Sequence, residues 1–382
     1  MKLHEYQAQN ILRQYGVPVP GGDVATSVDE VRHIATALGG RVVLKAQVLT
    51  GGRGRAGGIR LADDVAQAER LADVIFGMRI QGYPVSKILV NEALEIEREV
   101  YLGMMLDRQL AQPVIVAAAE GNVEISRVEH ETPERVWHIP VDPLLGLRVY
   151  QVRDLTNGIG LDRTQWDTFV RVAMGLYRAF AENEAVLLEV NPLVICPNGR
   201  MVSLDARMIV DDNALFRRRD LAELRDETQE TEREQLARRY SIHYVSLNGE
   251  VACLANGAGL AMVTMDLLRA RGIRPSCFID LGGGARAERV QAALQLAMAD
   301  QPRVILINVF GGVTRCDVIA EGLLAVCGEL DVPLVLRFDG WNAQQAYDLL
   351  AGHCSAKGAI HTAHSSEEAV GRAAALVKET KQ

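Results

Sequence analysis

The segment Val304-Ile305-Leu306-Ile307-Asn308-Val309-Phe310-Gly311-Gly312-Val313-Thr314-Arg315-Cys316-Asp317 constrains the fold most. An apolar run rich in β-branched residues ends on paired glycines and passes into an amphipathic pattern, the order strand, turn, helix. Such a turn aims the first N–H groups of the helix beyond the strand end, where a phosphate or carboxylate would sit. The order recurs upstream, where Val251-Ala252-Cys253-Leu254-Ala255 runs into Asn256-Gly257-Ala258-Gly259 and a helical pattern from Leu260. Each turn alone is equally the ordinary tight packing of a helix start on a sheet. Short apolar runs over 276–281, 333–338 and 359–362 also alternate with helical patterns, five helices in all. A doubly wound parallel sheet is therefore expected, with ligands beyond the C-terminal strand ends. Gly282-Gly283-Gly284-Ala285 falls at another such end.

The first half reads as α+β. Periodicity predicts helices over 3–15, 27–38, 65–76 and 163–182, the second with Ser27 as N-cap and Glu30 completing a capping box. Strands are expected over 42–48, 59–61, 87–91, 100–106, 113–118, 185–192 and 201–206. Between the first two lies Gly51-Gly52-Arg53-Gly54-Arg55-Ala56-Gly57-Gly58, a glycine hairpin able to fold over a ligand. It lacks the P-loop spacing and opens no helix. With 382 residues, the chain is too long for a single core, and the Glu- and Arg-rich stretch from 220 to 240 is the expected boundary, giving domains over 1–230 and 231–382.

Chemistry concentrates in a few places. Lys45 sits within an apolar strand, where an ammonium needs an anion. A nucleotide phosphate would satisfy it, and so would a structural ion pair. Gly52, Arg53 and Gly54 can cradle phosphates through backbone N–H groups and a two-point guanidinium grip. Glu189 and Asn191 are two apart on one strand and share a face. With Asp205 on a neighbouring strand they would make an oxygen site of the kind magnesium takes, a few protein oxygens completed by water and phosphates. Alternatively they are polar residues flanking turns.

A net charge of −8 without a basic run argues against nucleic-acid binding. No apolar stretch is long enough to span a membrane, and the N-terminus lacks a signal-peptide core. The six cysteines (Cys196, Cys253, Cys277, Cys316, Cys327 and Cys354) are scattered without CxxC pairs, which fits buried free thiols in a reducing cytoplasm. The eight histidines show no zinc spacing.

Along almost its whole length the chain resembles the β subunits of succinate–CoA ligases. The resemblance rests on Leu3-His4-Glu5-Tyr6-Gln7-Ala8, Gly51-Gly52-Arg53-Gly54, Glu189-Val190-Asn191-Pro192-Leu193, Asp211-Asp212-Asn213-Ala214-Leu215-Phe216-Arg217, Asn256-Gly257-Ala258-Gly259-Leu260-Ala261-Met262, Gly282-Gly283-Gly284-Ala285 and Gly311-Gly312 with Arg315-Cys316-Asp317, in one order. The malate–CoA ligase β subunit is similar. The resemblance implies an ATP-grasp domain followed by a flavodoxin-like CoA-ligase domain. It implies ATP/ADP and Mg2+ on this chain, and CoA mainly on an α subunit in an αβ or α2β2 assembly. The α subunit would carry a histidine that passes the phosphoryl group from ATP to a small dicarboxylate. By the same resemblance, Lys45, Gly52, Arg53, Gly54 and Glu99 would contact ATP, and the segment from Asn91 to Leu94 would lie at the adenine. Asn191 and Asp205 would hold magnesium, and Glu189 would orient the partner's phosphohistidine. Asn256, Gly312, Val313 and Thr314 would line the carboxylate site, with a helix from Val313 offering its N-terminus.

The chain departs from the family pattern at several positions. Arg55 and Arg207 stand where lysine is common, Asn91 where glutamate is common, and the segment over 77–87 is short. Val313-Thr314 replaces Ile-Val, and Trp341 replaces a small or polar residue. A Thr314 hydroxyl at the substrate would favour a hydroxylated acid such as malate over succinate. Two readings outside this chemistry are a nucleotide-sensing subunit without catalysis and a self-contained ATP-grasp ligase.

Overall fold

The chain separates between Gln229 and Glu230 into the units Met1–Gln229 and Glu230–Gln382. The computed structural model describes residues 1–122, 125–353 and 360–379. Cys354, and Ala359 at the expected start of the last strand, lie outside the described residues.

Met1–Gln229 runs α1 (Glu5–Gln14), β1 (Gly22–Ala25), α2 (Val28–Ala37), β2 (Val42–Ala46), β3 (Ile59–Ala62), α3 (Val65–Phe76), β4 (Arg79–Ile80), β5 (Tyr83–Pro84), β6 (Ile88–Glu92), β7 (Arg98–Asp107), β8 (Gln112–Ala118), α4 (Ile125–Glu131), β9 (Val136–Pro140), α5 (Val149–Gly158), α6 (Trp166–Glu182), β10 (Ala185–Ile195), β11 (Met201–Ser203), β12 (Ala206–Val210) and α7 (Arg219–Ala222). Ser27 caps α2 by accepting from the Glu30 N–H, while the Glu30 carboxylate reaches back to Thr26. The sheet β1-β6-β2-β3 packs Val42, Leu44, Ala46, Ile88 and Val90 into one core with residues of α2 and α3. The alternate residues Val43, Lys45, Leu89 and Asn91 therefore share the other face. The second sheet, β11-β10-β7-β8-β9 with β12 on β10, turns Val100, Leu102, Met104, Leu188 and Val190 toward α6. Its other face carries Glu99, Tyr101, Glu189, Asn191 and Arg207. The Asn191-Pro192 pair, which also suits a turn, lies within β10, where the pairing with β7 shifts register between Val190 and Leu193. The expected strand over 201–206 is broken at Leu204–Asp205, which separates β11 from β12.

A buried clasp closes this unit. His4 Nε2 lies 2.9 Å from Asp226 Oδ2, which also accepts from Lys87 Nζ at 2.7 Å. Burial holds the His4 imidazole below its ordinary range despite Asp226. Burial alone would raise Asp226, but hydrogen bonds from Lys87, Thr228 and His4 hold it well below the usual carboxylate range. Folded His4 thus binds fewer protons than unfolded His4 from its lowered pKa up to the ordinary value of 6.5. Its contribution is complete above that window and is lost as pH falls through it. Asp226 adds a second loss as pH falls below the unfolded carboxylate value of about 3.9. The thermal midpoint of this unit is expected to drop between about pH 7 and pH 5, and His4→Gln to flatten that drop. Equal slopes in the two proteins would refute the assignment.

Glu230–Gln382 runs α8 (Glu232–Arg239), β13 (His243–Ser246), β14 (Val251–Ala255), α9 (Ala258–Ala270), β15 (Pro275–Asp280), α10 (Ala287–Ala299), β16 (Val304–Gly311), α11 (Cys316–Leu324), β17 (Leu334–Gly340), α12 (Ala343–His353), β18 (Ile360–Thr362) and α13 (Ser366–Glu379). The sheet order is β13-β15-β14-β16-β17-β18. The expected parallel sheet is found from β15 to β18, but β13 adds an antiparallel edge. Short and largely exposed, β13 carries no apolar alternation to announce it. Asp300 fastens it, accepting from Tyr244, Ser246 and Arg233. From β14 the chain passes to β15 on one side and then to β16 on the other. The crevice between β14 and β16 is thus the switch point, and both glycine turns end there. Cys196, Cys253, Cys277, Cys316 and Cys327 are buried free thiols. Among the described residues no helix is long and apolar enough to cross a membrane.

Candidate active site

In Met1–Gln229 a cavity of about 690 Å³ is lined by the glycine loop from Gly51 to Arg55, by Glu5 of α1, and by Glu189, Asn191, Asp205 and Arg207. That volume suits a nucleotide-sized ligand. Its floor is a charge circuit. The Glu5 carboxylate, 1% exposed, lies 2.8 Å from Lys45 Nζ through one oxygen and 2.8 Å from Arg53 Nη1 through the other. Arg53 Nη2 donates to both Asp205 oxygens, at 3.1 and 2.9 Å. Lys45 Nζ also donates to the Leu204 carbonyl at 2.6 Å. Of the two readings for Lys45, the ion pair is what this arrangement contains.

Burial would raise the Glu5 carboxyl, but Lys45 and Arg53 hold it below the usual range. The Asp205 side chain keeps 32% of its surface open, yet withdrawal from water and the charge of Glu5 push it up to about 6, against Arg53 and Lys45. The Asn191 N–H donates to the Asp205 carbonyl at 3.1 Å, which clamps the two residues side by side. The Asn191 side-chain oxygen accepts from the Asn122 N–H at 2.7 Å. Among the described residues no three His, Cys, Asp or Glu side chains gather as a metal cluster. A cation would rest on the Asp205 carboxylate and the Asn191 amide oxygen, with water and phosphates completing the shell. That is a donor set magnesium commonly takes.

Glu189 stands opposite Arg207 on β12 and Gly103 on β7. Burial raises its carboxyl, while Arg207 and the Tyr101 hydroxyl oppose the rise. Asn91, Leu94 and Glu99 are not among the residues lining the cavity. Asn91 is 1% exposed, and neither its amide oxygen nor its amide nitrogen has a hydrogen-bond partner. An amide buried in this condition is costly unless a ligand meets it. Leu94 packs with Val194, Cys196 and Val202, and Glu99 is half-buried at the start of β7.

In Glu230–Gln382 the expected substrate residues hold the turns together. Asn256 Oδ1 accepts from the Phe310 N–H at 2.9 Å, and its Nδ2 donates to the Phe310 carbonyl at 2.7 Å. This side chain staples the ends of β14 and β16. The Thr314 hydroxyl, expected to meet a substrate hydroxyl, is instead buried, accepting from the Gly284 N–H at 2.7 Å and donating to the Gly282 carbonyl. That removes the argument for malate over succinate. The expected helix from Val313 begins at Cys316, because Gly312–Arg315 form the turn. Its N-terminus already meets Asp317, which is ion-paired to Arg315 and accepts from Asn342 Nδ2 at 3.0 Å. Gly312 and Val313 are exposed, Val313 by 85%.

Glu5, Tyr101 and Asp317 were not assigned roles from sequence. Glu5 and Asp317 look like ordinary first-turn helix acids. The one usable signal was that Lys45 required an anion.

A family model described as an ATP-grasp domain matches residues 2–195, and one described as CoA-ligase matches residues 254–376. The succinate–CoA ligase [ADP-forming] subunit beta of Roseiflexus sp. (strain RS-1) is 47% identical over 355 residues, covering 92% of this chain and 94% of that protein. The subunit of the same description from Coxiella burnetii (strain CbuG_Q212) is 43% identical over 363 residues, covering 92% and 93%. Among solved structures, ATP citrate lyase from Methanothrix soehngenii superposes with a TM-score of 0.70 at 18% identity, covering 97% of this chain and 98% of that one. This last likeness is one of fold.

Proposed function

The chain belongs to the family of succinate–CoA ligase [ADP-forming] β subunits, ligases that join an ATP-grasp domain to a CoA-ligase domain, and from that premise we propose how its residues divide the reaction. ATP occupies the cavity of Met1–Gln229 with its phosphates over Gly52–Gly54, and Arg53 and Lys45 turn from Glu5 and Asp205 toward them. The buried unpartnered amide of Asn91 meets the base, Leu94 borders it, and Glu99 also contacts ATP. Asn191 and Asp205 hold Mg2+, which when bound neutralises phosphate oxygens. Glu189 orients the imidazole of a phosphorylated histidine brought by the α subunit, fixing its tautomer and favouring its charged form. The phosphoryl group then passes to succinate as an acyl phosphate, and CoA, held mainly by the α subunit, displaces phosphate. Asn256, Gly312, Val313 and Thr314 shape the carboxylate site, Asn256 and Thr314 by fixing its turns.

The observation that carries this reading is the pairing of Arg53 of the glycine loop with Asp205, clamped beside Asn191, in one cavity with Glu189. Co-expression with an α-type subunit, followed by a thioester assay with ATP, Mg2+, CoA and a panel of dicarboxylates, tests it. Succinyl-CoA formed only when both chains are present is the expected result. Product from this chain alone would overturn the division of labour, and no product on any acid would overturn the catalytic reading.

A further inference from the structure

The cavity accounts for Glu189 from the front, but the carboxylate is also held from behind. Tyr101, on the same face of the sheet, is fully buried, its ring packed among Val114, Val116, Ala118, Val128 and Val136. It does not line the cavity. Its hydroxyl donates to Glu189 Oε2 at 3.4 Å. The path between them exists because the residue paired with Glu189 on β7 is Gly103. A Cβ at 103 would lie 2.7 Å from the Tyr101 hydroxyl oxygen and 3.1 Å from the ring carbon that bears it. A phenol clamped by an apolar cluster can offer its hydroxyl in few directions, and here Gly103 leaves open the one toward Glu189. Burial and the charge of Glu189 hold the phenol in its protonated form, so the proton lies on the donor.

We infer that Tyr101 is a positioning residue for the phosphoryl-transfer step: reaching through the gap at Gly103, it fixes the carboxylate that meets the partner's phosphohistidine. The inference rests on the proposed role of Glu189. Arg207 faces that carboxylate from β12, and Arg127 of α4 lines the same cavity. Arg207 supplies charge from the side, while Tyr101 supplies direction. A hydrogen bond to a charged group that is realised in the transition state is worth about a tenfold change in rate.

The test uses the assembled complex with the α-type subunit and follows single-turnover transfer of labelled phosphate from ATP to that subunit. Tyr101→Phe, which removes only the oxygen, is expected to slow transfer about tenfold while leaving the KM for ATP and the thermal midpoint within error. Glu189→Gln is expected to slow it at least as much, and the double variant to be no slower than Glu189→Gln alone. Gly103→Ala, which displaces the hydroxyl without removing it, is expected to slow transfer as Tyr101→Phe does, with a lowered thermal midpoint from the added crowding. Wild-type transfer in Tyr101→Phe beside a slow Glu189→Gln overturns the positioning role alone. A double variant slowed by the product of the single effects overturns it too. Wild-type transfer in Glu189→Gln overturns the reading of Glu189, and this inference falls with it.

Discussion

Glu5→Gln is expected to destabilise Met1–Gln229 by about 3–5 kcal/mol, the cost of leaving a buried charge without its partner. The wild-type circuit balances two cations, Lys45 and Arg53, against two carboxylates, Glu5 and Asp205. Glu5 is the one member that touches both cations, and its side chain is 1% exposed. An amide fills the same volume, but turns an acceptor toward one cation and an N–H donor toward the other. Asp205 stays within reach of Arg53 but not of the full charge on Lys45, which is left with neutral acceptors such as the Leu204 carbonyl and no anion. In a unit of this size the thermal midpoint should fall by roughly 10 °C. Two controls separate this account from simple damage to the core. Lys45→Met added to Glu5→Gln should restore part of the loss, since it removes the orphaned cation as well. Mg2+ and ATP should raise the midpoint of Glu5→Gln by more than that of the wild type, because phosphates supply the missing anion. A midpoint within about 2 °C of wild type would sink the account, as that is less than 1 kcal/mol.

What could be read from the residues and what could not divide along a physical line. The unbroken apolar runs of β14 and β16 and the glycines after them report burial and turn geometry, both local properties, and the switch point stands where they end. The oxygen-bearing face of β10 was legible for the same reason, since period two puts Glu189 and Asn191 together whatever surrounds them. The partner of Lys45 was not legible. Glu5 is 40 residues away on a helix whose acidic first turn has a sufficient local explanation. Thr314 shows the opposite failure. It stands in the turn between β16 and α11, as expected, but a hydroxyl can serve the loop or a ligand, and nothing local says which. Gly282 and Gly284 decide it by offering a carbonyl and an N–H within reach. Tyr101 follows the same rule, because its meaning depends on Gly103 being bare and on Glu189 lying across from it.

Gly340→Ala should disable the second unit as selectively as Glu5→Gln disables the first. Gly340 closes β17 at φ +85°, a conformation that favours glycine. A Cβ there would lie 2.3 Å from the Gly311 carbonyl oxygen, on the neighbouring strand. That carbonyl accepts from the Trp341 N–H at 2.9 Å, and the Trp341 carbonyl accepts from the Cys316 N–H that opens α11 at 3.1 Å. The two strand ends and the helix start thus share one seam, and the Gly312–Arg315 turn hangs from it. Backbone cannot yield as a flexible side chain can, so the added methyl must part the strands and strain φ together. The combined cost is roughly 3 kcal/mol. In urea the unfolding midpoint of Glu230–Gln382 should fall, and thioester formation by the assembled complex should fall with it, while ATP binding by Met1–Gln229 is retained. Gly328→Ala is the matched control, because a Cβ there meets nothing within 4 Å. If Gly340→Ala and Gly328→Ala unfold together and make thioester at equal rates, the seam does not hold the turn. If Gly340→Ala alone loses stability but keeps full activity, the turn is held by the Thr314 bridge to Gly282 and Gly284 instead.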